Sequence, residues 1–238
     1  MPQKALLNMY MYRFPPSLIL LLRPFIRIAI KINWRFGRSY KCGRVNLDDI
    51  RPLLTPGMLI LTHKDFKLTN LFINGYWTHA AMVTSADTVV EAISKGVVTK
   101  SLETFLTTVD DFLILRPRFC SPESMRSAGE QAKGFVGCPY NFTYQPDKDS
   151  VYCSELVFRA YAGTPEWKRL TRTSVEDAME YYNGGILLPH SFSESQLLWQ
   201  HVAPPPFAGE YHLMGLPTDR PNGAAICQEP GGRSPTSS

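Results

Sequence analysis

Residues 78–93 read THAAMVTSADTVVEAI, and this stretch decides the fold. Two apolar runs flank the turn signal Ser85-Ala86-Asp87, which is the pattern of two strands joined by a tight hairpin. We predict strands at 78–84 and 88–93. Strands joined by so short a turn must pair antiparallel, because parallel strands need a long crossover connection.

A polar pair interrupts this otherwise apolar hairpin. His79 stands near the start of the first strand, and Glu91 is the charged residue of the second. A hairpin centred on the turn would place residues 79 and 91 opposite each other, where the carboxylate would orient the imidazole and stabilise its protonated form. The alternative is a structural histidine beside an outward-facing, solvated Glu91.

The segments around this hairpin predict the rest of the fold. Apolar runs bounded by turn residues predict further strands at 58–62 and 112–116, with a short one at 97–99. Capping serines and terminal glycines predict helices at 102–106, from 121 to about 136, at 153–162 and at 174–182. Hairpin strands followed by segregated helices predict an α+β domain with an antiparallel sheet.

A cysteine at the start of a predicted helix completes the set of reactive residues. Cys153 follows a polar loop, and a thiol at a helix N-terminus has a lowered pKa. With His79 and Glu91 it supplies the residue types of a catalytic triad, in which a thiolate attacks, an imidazole transfers protons and a carboxylate orients the imidazole. The alternative is a buried structural cysteine, the usual state of a free thiol.

No cofactor or metal site is predicted. The five cysteines are irregularly spaced and form no CxxC pair, which argues against a disulfide framework or a zinc knuckle. His190, His201 and His212 are eleven residues apart, a spacing that matches no metal motif. His63 ends a predicted strand and competes with His79, but we find no carboxylate placed for it on a neighbouring strand.

Composition and charge divide the chain into three parts. A hydrophobic fraction of 44% suits a globular core, and no apolar run reaches the ~18–20 residues of a spanning helix. Residues 1–44 contain nine basic and no acidic residues, whereas the remainder has 16 basic and 21 acidic. We predict a basic amphipathic segment at 1–44, a globular body at 45–215 and a disordered Pro/Gly/Ser-rich tail at 216–238. An acidic body argues against a nucleic-acid partner.

The basic segment has two interpretations. Basic residues at 23, 27, 31 and 35 form a stripe beside apolar neighbours, which predicts an amphipathic helix. The helix either packs on the body with a solvated basic edge or lies on an anionic membrane. We find no convincing cleaved signal peptide, so we expect a cytoplasmic or peripheral membrane location.

The body resembles the circularly permuted papain-fold cysteine hydrolases of the YiiX/YebB/YaeF type, which are relatives of the NlpC-type amidases, over about residues 52–202. Short motifs in the family's order carry the resemblance: PGMLIL from 56, WTHAAMV from 77, VVEA from 89, GVV from 96 with SLE from 101, LRP from 115, GCPYN from 137, YCSELV from 152, and Leu188-Pro189 with Ser195. The family usually has Gly-Asp where this chain has Gly57-Met58, and Tyr-Asp where it has Tyr140-Asn141. Neither departure replaces a triad residue.

The resemblance implies a permuted papain-like fold and assigns roles to individual residues. Cys153 matches the nucleophile, His79 the base and Glu91 the orienting residue. Tyr140 matches the tyrosine that lines the oxyanion site in NlpC-type relatives. We therefore expect a thiol hydrolase that cleaves an amide, of a peptide or cell-wall-type fragment, through an acyl-enzyme intermediate. The alternatives are a lipid thioesterase or acyltransferase of the same fold, and a non-catalytic membrane-associated binding module.

Overall fold

A six-stranded antiparallel sheet forms the framework of the protein. The computed structural model describes residues 11–12, 21, 24–25, 28, 39–42, 45–65, 75–144, 147–171, 186–187, 189, 192–193 and 199–203. The strands are β1 (Met11–Tyr12), β2 (Leu59–His63), β3 (His79–Ser85), β4 (Thr88–Ile93), β5 (Gly96–Ser101), β6 (Asp111–Pro117), β7 (Ile186–Leu187) and β8 (Trp199–Ala203). The main sheet has the order β5-β4-β3-β2-β6-β8, and β1 pairs separately with β7.

Helices cover both faces of the sheet. They are α1 (Leu47–Ile50), followed by a 3-10 turn at Arg51–Leu53, then α2 (Leu102–Leu106), α3 (Pro122–Gly134), α4 (Cys153–Ala162) and α5 (Pro165–Thr171). Because side chains alternate along a strand, Leu59 and Leu61 of β2 join a core with α3 and α4. Ile60, between them, joins the core on the opposite face with α1 and α2. The predicted α+β class with an antiparallel sheet is confirmed.

Local signals set the helix boundaries well. Ser101 caps α2 by accepting a hydrogen bond from the backbone of Thr104, and Ser121 caps α3 in the same way through Ser124. The range predicted for α4 is that observed, with Gly163 at its C-terminal cap. Helix α3 ends at residue 134, two residues earlier than predicted. The sequence patterns missed the short elements α1, β1 and β7 as well as α5 and β8. The predicted helix at 174–182 and the predicted tail at 216–238 lie outside the described residues.

The register of the β3–β4 hairpin differs from the prediction. Glu91 lies opposite Ala81, so the predicted direct pairing of residues 79 and 91 is wrong. The two-residue turn lies at Ala86-Asp87, and the register shifts between Val83 and Ser85. The observed pairing differs from the predicted one by two residues, an even shift that keeps the faces, so His79 and Glu91 become diagonal neighbours on one side of the sheet.

A glycine fixes the loop that follows α3 against the sheet. Gly96 has a φ of +110°, and a Cβ added there would lie 2.7 Å from the carbonyl oxygen of Cys138. That carbonyl accepts a hydrogen bond from the backbone of Val97. A residue with a side chain would be both strained and too close, so glycine allows the 137–144 loop to lie directly on β5.

No described helix is long and apolar enough to cross a membrane. Four described positions near the N-terminus, 21, 24, 25 and 28, have helical backbone. The rest of the predicted amphipathic helix lies outside the described part of the chain. Lys41 and Cys42, which the predicted boundary assigns to the N-terminal segment, bond to the body: Lys41 donates to Asp110 and Cys42 to the backbone of Val109.

Candidate active site

Cys153 is the first residue of α4, where the helix dipole presents its positive end. The polar loop before it suggested an exposed thiol, but the side chain of Cys153 is buried. Burial would raise the pKa of the thiol. A hydrogen bond to His79, the positive charge of that imidazole and a backbone hydrogen bond from Ala80 outweigh burial, so the pKa of Cys153 is lowered from its ordinary value. These effects favour a thiolate at the helix end.

His79 lies between two acidic partners. Its Nε2 is 2.6 Å from Oε2 of Glu91, and it also bonds to Cys153. Burial disfavours the charged imidazole, but the hydrogen bonds and negative charges of Cys153 and Glu91 raise the pKa of His79 to about 8. The imidazole therefore carries a proton at neutral pH when the thiolate is present.

Glu91 is buried and bonded on both sides. The other carboxylate oxygen, Oε1, forms an ion pair with Lys100 of β5. Burial would raise the pKa of Glu91, but the hydrogen bond and charge of His79 and the charge of Lys100 lower it to about 2. The carboxylate is ionised throughout the physiological pH range, and the solvated alternative for Glu91 is excluded by its 2% exposure.

Tyr140 belongs to an aromatic group beside the thiol. Its ring packs edge-on against Phe142, with centroids 4.9 Å apart, and against Tyr144 at 6.4 Å. Its hydroxyl is hydrogen-bonded to that of Tyr144. Burial and the negative charge of Cys153 are among the effects that raise the pKa of Tyr140 well above its ordinary value, so the phenol stays protonated as a hydrogen-bond donor.

Asn141 shapes the loop that carries these aromatic residues. Its buried Oδ1 accepts hydrogen bonds from the backbone and hydroxyl of Thr143 and from the backbone of Tyr144. This turn holds Tyr144 at a φ of +53°, a left-handed conformation that is uncommon for a bulky residue. The amide Nδ2 donates to Glu155 of α4, which ties the loop to the helix that begins with Cys153.

Glu155 forms the other end of that connection. Its carboxylate accepts hydrogen bonds from the backbone of Tyr152, from Asn141 and from Arg159. Burial raises its pKa to about 7, although Arg159 opposes this shift. The structure shows that Glu155 has its own cation and its own structural partners.

The other histidines that the structure describes are not part of this site. His63 has Nδ1 2.6 Å from the carbonyl of Tyr76 and Nε2 3.2 Å from Asp65, so its carboxylate partner follows β2 rather than lying on a neighbouring strand. Nε2 of His201 is 3.4 Å from the carbonyl oxygen of Ser193. His190 and His212 are outside the described residues. Within the described part of the chain, no three His, Cys, Asp or Glu side chains form a group suited to a metal ion.

The sequence patterns missed three polar residues of this site: Lys100, Asn141 and Tyr144. Lys100 follows the predicted strand 97–99, and its contact with Glu91 depends on the β4–β5 register. Asn141 and Tyr144 lie in a loop whose course depends on contacts with β5 and α4. An alternation analysis of three adjacent strands would have placed Lys100 on the same face as Glu91.

Comparison with known proteins agrees with this fold. Residues 53–202 match the family model described as the permuted papain-like amidase enzyme, YaeF/YiiX, C92 family. The chain belongs to this family of permuted papain-like amidases, which confirms the resemblance seen in its motifs. Along the chain, the described site runs in the order His79, Glu91 and Cys153, because α4 follows the β3–β4 hairpin.

A solved structure gives a more distant likeness. The crystal structure of metalloprotein yiiX from Escherichia coli O157:H7 is 20% identical and has a TM-score of 0.48; the match covers 63% of this chain and 96% of the E. coli chain. The word metalloprotein describes the E. coli protein. A search of curated proteins found no match.

Proposed function

We propose that this protein is a thiol amidase that cleaves an amide bond of a peptide or cell-wall-type fragment through Cys153, His79 and Glu91. One observation carries the proposal. The imidazole of His79 lies 2.6 Å from a buried carboxylate, and its interaction with Cys153 raises the pKa of the imidazole and lowers that of the thiol. This is the arrangement that nucleophilic acyl transfer requires, and membership in an amidase family supports it.

The reaction follows from these contacts. The Cys153 thiolate attacks the amide carbonyl carbon, forming a C–S bond and a negatively charged tetrahedral oxygen. With Nε2 held by Glu91, Nδ1 of His79 is the ring nitrogen left to deliver a proton to the leaving amine as the C–N bond breaks. Water then attacks the thioester, His79 accepts its proton, and the carboxylic acid product leaves as the thiolate is restored.

Tyr140 has a place in this scheme. Its protonated hydroxyl lies in the aromatic group beside Cys153, where a hydrogen-bond donor would stabilise the negative oxygen of the tetrahedral intermediate. In the resting structure that hydroxyl is bonded to Tyr144. We assign Tyr140 as the oxyanion donor, with Tyr144 as the partner that holds its hydroxyl until substrate arrives.

A second candidate function is a thioesterase or acyltransferase that acts on lipid. The observation that favours it is a row of exposed apolar residues with helical backbone: Leu21, Phe25 and Ile28 are 70%, 67% and 58% exposed. Their spacing of four and three residues is that of one helical face. They lie in residues 1–44, which contain nine basic and no acidic residues. Apolar and basic side chains together suit an anionic membrane surface, which we propose as a partner.

One experiment distinguishes the candidates. The full-length protein is incubated with a panel of acyl donors, peptide amides on one side and lipid esters on the other, and the acyl adduct is located by peptide mass spectrometry. We expect an adduct on Cys153 from an amide, and none in Cys153→Ala. An adduct from lipid esters alone would favour the lipid enzyme, and failure of every donor would favour a binding module. Cys120→Ala is the matched control, since Cys120 is a partly exposed free thiol between β6 and α3, outside the loop that carries Tyr140.

A further inference from the structure

The Glu91 carboxylate has a cationic partner on each oxygen. Oε2 lies 2.6 Å from Nε2 of His79, and Oε1 pairs with Nζ of Lys100. Glu91 and Lys100 differ in their access to water: the side chain of Glu91 is 3% exposed and that of Lys100 is 29% exposed. Lys100 therefore links a buried carboxylate of the site to the edge of the sheet.

Strand register places the three groups in a row. Glu91 lies opposite Ala81 of β3 and Val98 of β5. His79 is two residues from Ala81, and Lys100 is two residues from Val98, so both share a face with Glu91. The row runs diagonally across three adjacent strands, and each contact is of the diagonal kind that long side chains make in antiparallel sheets.

The two contacts act on the carboxylate in complementary ways. A carboxylate held by one oxygen alone can turn about its last carbon–carbon bond, and the pair with Lys100 prevents this by fixing Oε1. The ammonium charge also acts on the imidazole through Glu91. It offsets part of the negative charge that stabilises the protonated ring, so Lys100 and Glu91 influence the proton on His79 with opposite signs.

We propose that Lys100 is a positioning residue of this site, which aims Glu91 at His79 and limits how tightly the imidazole keeps its proton. The proposal rests on the proposed function, because the imidazolium matters only if it protonates a leaving group. The other groups that face His79 are the thiol of Cys153 from α4 and the uncharged ring of Phe105 from α2, at 6.4 Å. The charge of Cys153 acts in turn on Tyr140 and Tyr144 of the 137–144 loop.

The test measures the pKa of the His79 ring in the full-length protein by NMR titration of its Cε1–H signal, assigned with His79→Gln. We expect Lys100→Gln to raise this pKa by about 0.5, because a nearby positive charge is removed. Glu91→Gln should lower it by about 1. Lys100→Arg keeps the charge and should stay close to wild type. Lys95→Gln, which removes an exposed charge from the β4–β5 turn, is the matched control and should change nothing.

Opposite shifts from Lys100→Gln and Glu91→Gln would support the proposal, as would an upper limb of the kcat/KM profile that moves with them. An unchanged or lowered pKa in Lys100→Gln would overturn it, and so would an equal shift in Lys95→Gln. Should Lys100→Gln fail to fold, Lys100→Thr removes the same charge with a strand-favouring residue. The titration needs no substrate, so the absence of a pKa shift would contradict the role of Lys100 alone. If the pKa shift is present but the protein hydrolyses no amide, the proposed function alone is contradicted.

Discussion

Glu155 and Arg159 form a buried ion pair one helical turn beyond Cys153, with Nη2 of Arg159 2.7 Å from Oε1 of Glu155. Both side chains are at most 10% exposed. Arg159 also donates to the carbonyls of Asp147 and Lys148, so the pair fastens the loop before α4 to the helix. Such a pair is retained at a cost in desolvation, and breaking it leaves a buried charge without its partner.

The burial of Glu155 predicts how stability depends on pH. Burial raises the pKa of Glu155 from 4.5 to about 7. The folded state then binds the proton more tightly than the unfolded chain, so the stability from this group is greatest below about pH 4.5 and is lost as pH rises through 7. We expect the free energy of unfolding, measured in urea, to fall by about 2 kcal/mol between pH 5 and pH 7.5 on account of Glu155.

Two variants isolate that contribution. Glu155→Gln cannot titrate and should lose most of the slope between pH 5 and pH 7.5. Glu130→Gln removes an exposed carboxylate from α3 and should keep the wild-type slope. A wild-type slope in Glu155→Gln would mean that the carboxylate stays ionised in the folded protein over this range.

Cys153 should be the most reactive thiol of the described body near pH 6. A free thiol with an ordinary pKa of ~8.5 is almost entirely protonated there, whereas the pair with His79 maintains a thiolate. Cys42 has basic neighbours in the sequence, but it is buried and its thiol donates to the carbonyl of Asp110. Burial raises the pKa of Cys120 to about 12. Limited iodoacetamide labelling, read by peptide mass spectrometry, should concentrate on Cys153.

The dyad predicts which histidine controls this labelling. In His79→Ala we expect the labelling rate of Cys153 at pH 6 to fall about tenfold or more, because the imidazolium no longer stabilises the thiolate. His201→Ala, at an exposed position of β8, should label like wild type. Equal rates in His79→Ala and wild type would remove the main support for the enzyme.

Tyr140→Phe tests the oxyanion assignment. The variant keeps the ring contacts with Phe142 and Tyr144 and removes only the hydroxyl. We expect kcat to fall about 10²-fold with little change in KM, since the donor acts on the tetrahedral intermediate. Cys153 labelling should stay at the wild-type rate. Tyr144→Phe removes only the resting partner and should cost far less; an effect as large as that of Tyr140→Phe would assign the donor role to the pair or to Tyr144.

The exposed apolar row predicts binding to anionic membranes. We expect the full-length protein to sediment with vesicles that contain phosphatidylglycerol at low salt, and to release as salt screens the attraction over ~8–10 Å. The combined variant Leu21→Ser, Phe25→Ser and Ile28→Ser should lose binding. Val136→Ser is the control, because Val136 is an exposed apolar residue of the body, at 48%. If the full-length protein does not sediment with these vesicles at low salt, the proposal is contradicted. Point variants are preferable to a deletion of 1–44, since Lys41 and Cys42 contact the body.

The sequence by itself determined the elements that rest on local chemistry. The two apolar runs around Ser85-Ala86-Asp87 specified the hairpin, the serine caps specified the starts of α2 and α3, and the segment from Cys153 to Gly163 specified α4. These signals survive in the fold because each acts within a few residues: a turn fixes antiparallel pairing, and a cap satisfies the first backbone donors of its helix.

Only the tertiary structure decided which side chains meet. The turn at Ala86-Asp87 and the irregularity near Thr84 together place the hairpin register two residues from the expected one, which turned the expected opposite pair into the diagonal contact between His79 and Glu91. The partner of Glu91 on β5, the burial of Cys153 and the raised pKa of Glu155 likewise arise from groups far apart along the chain. Register and burial depend on how whole elements pack, and the electrostatics of a buried group follow from that packing rather than from its neighbours in sequence.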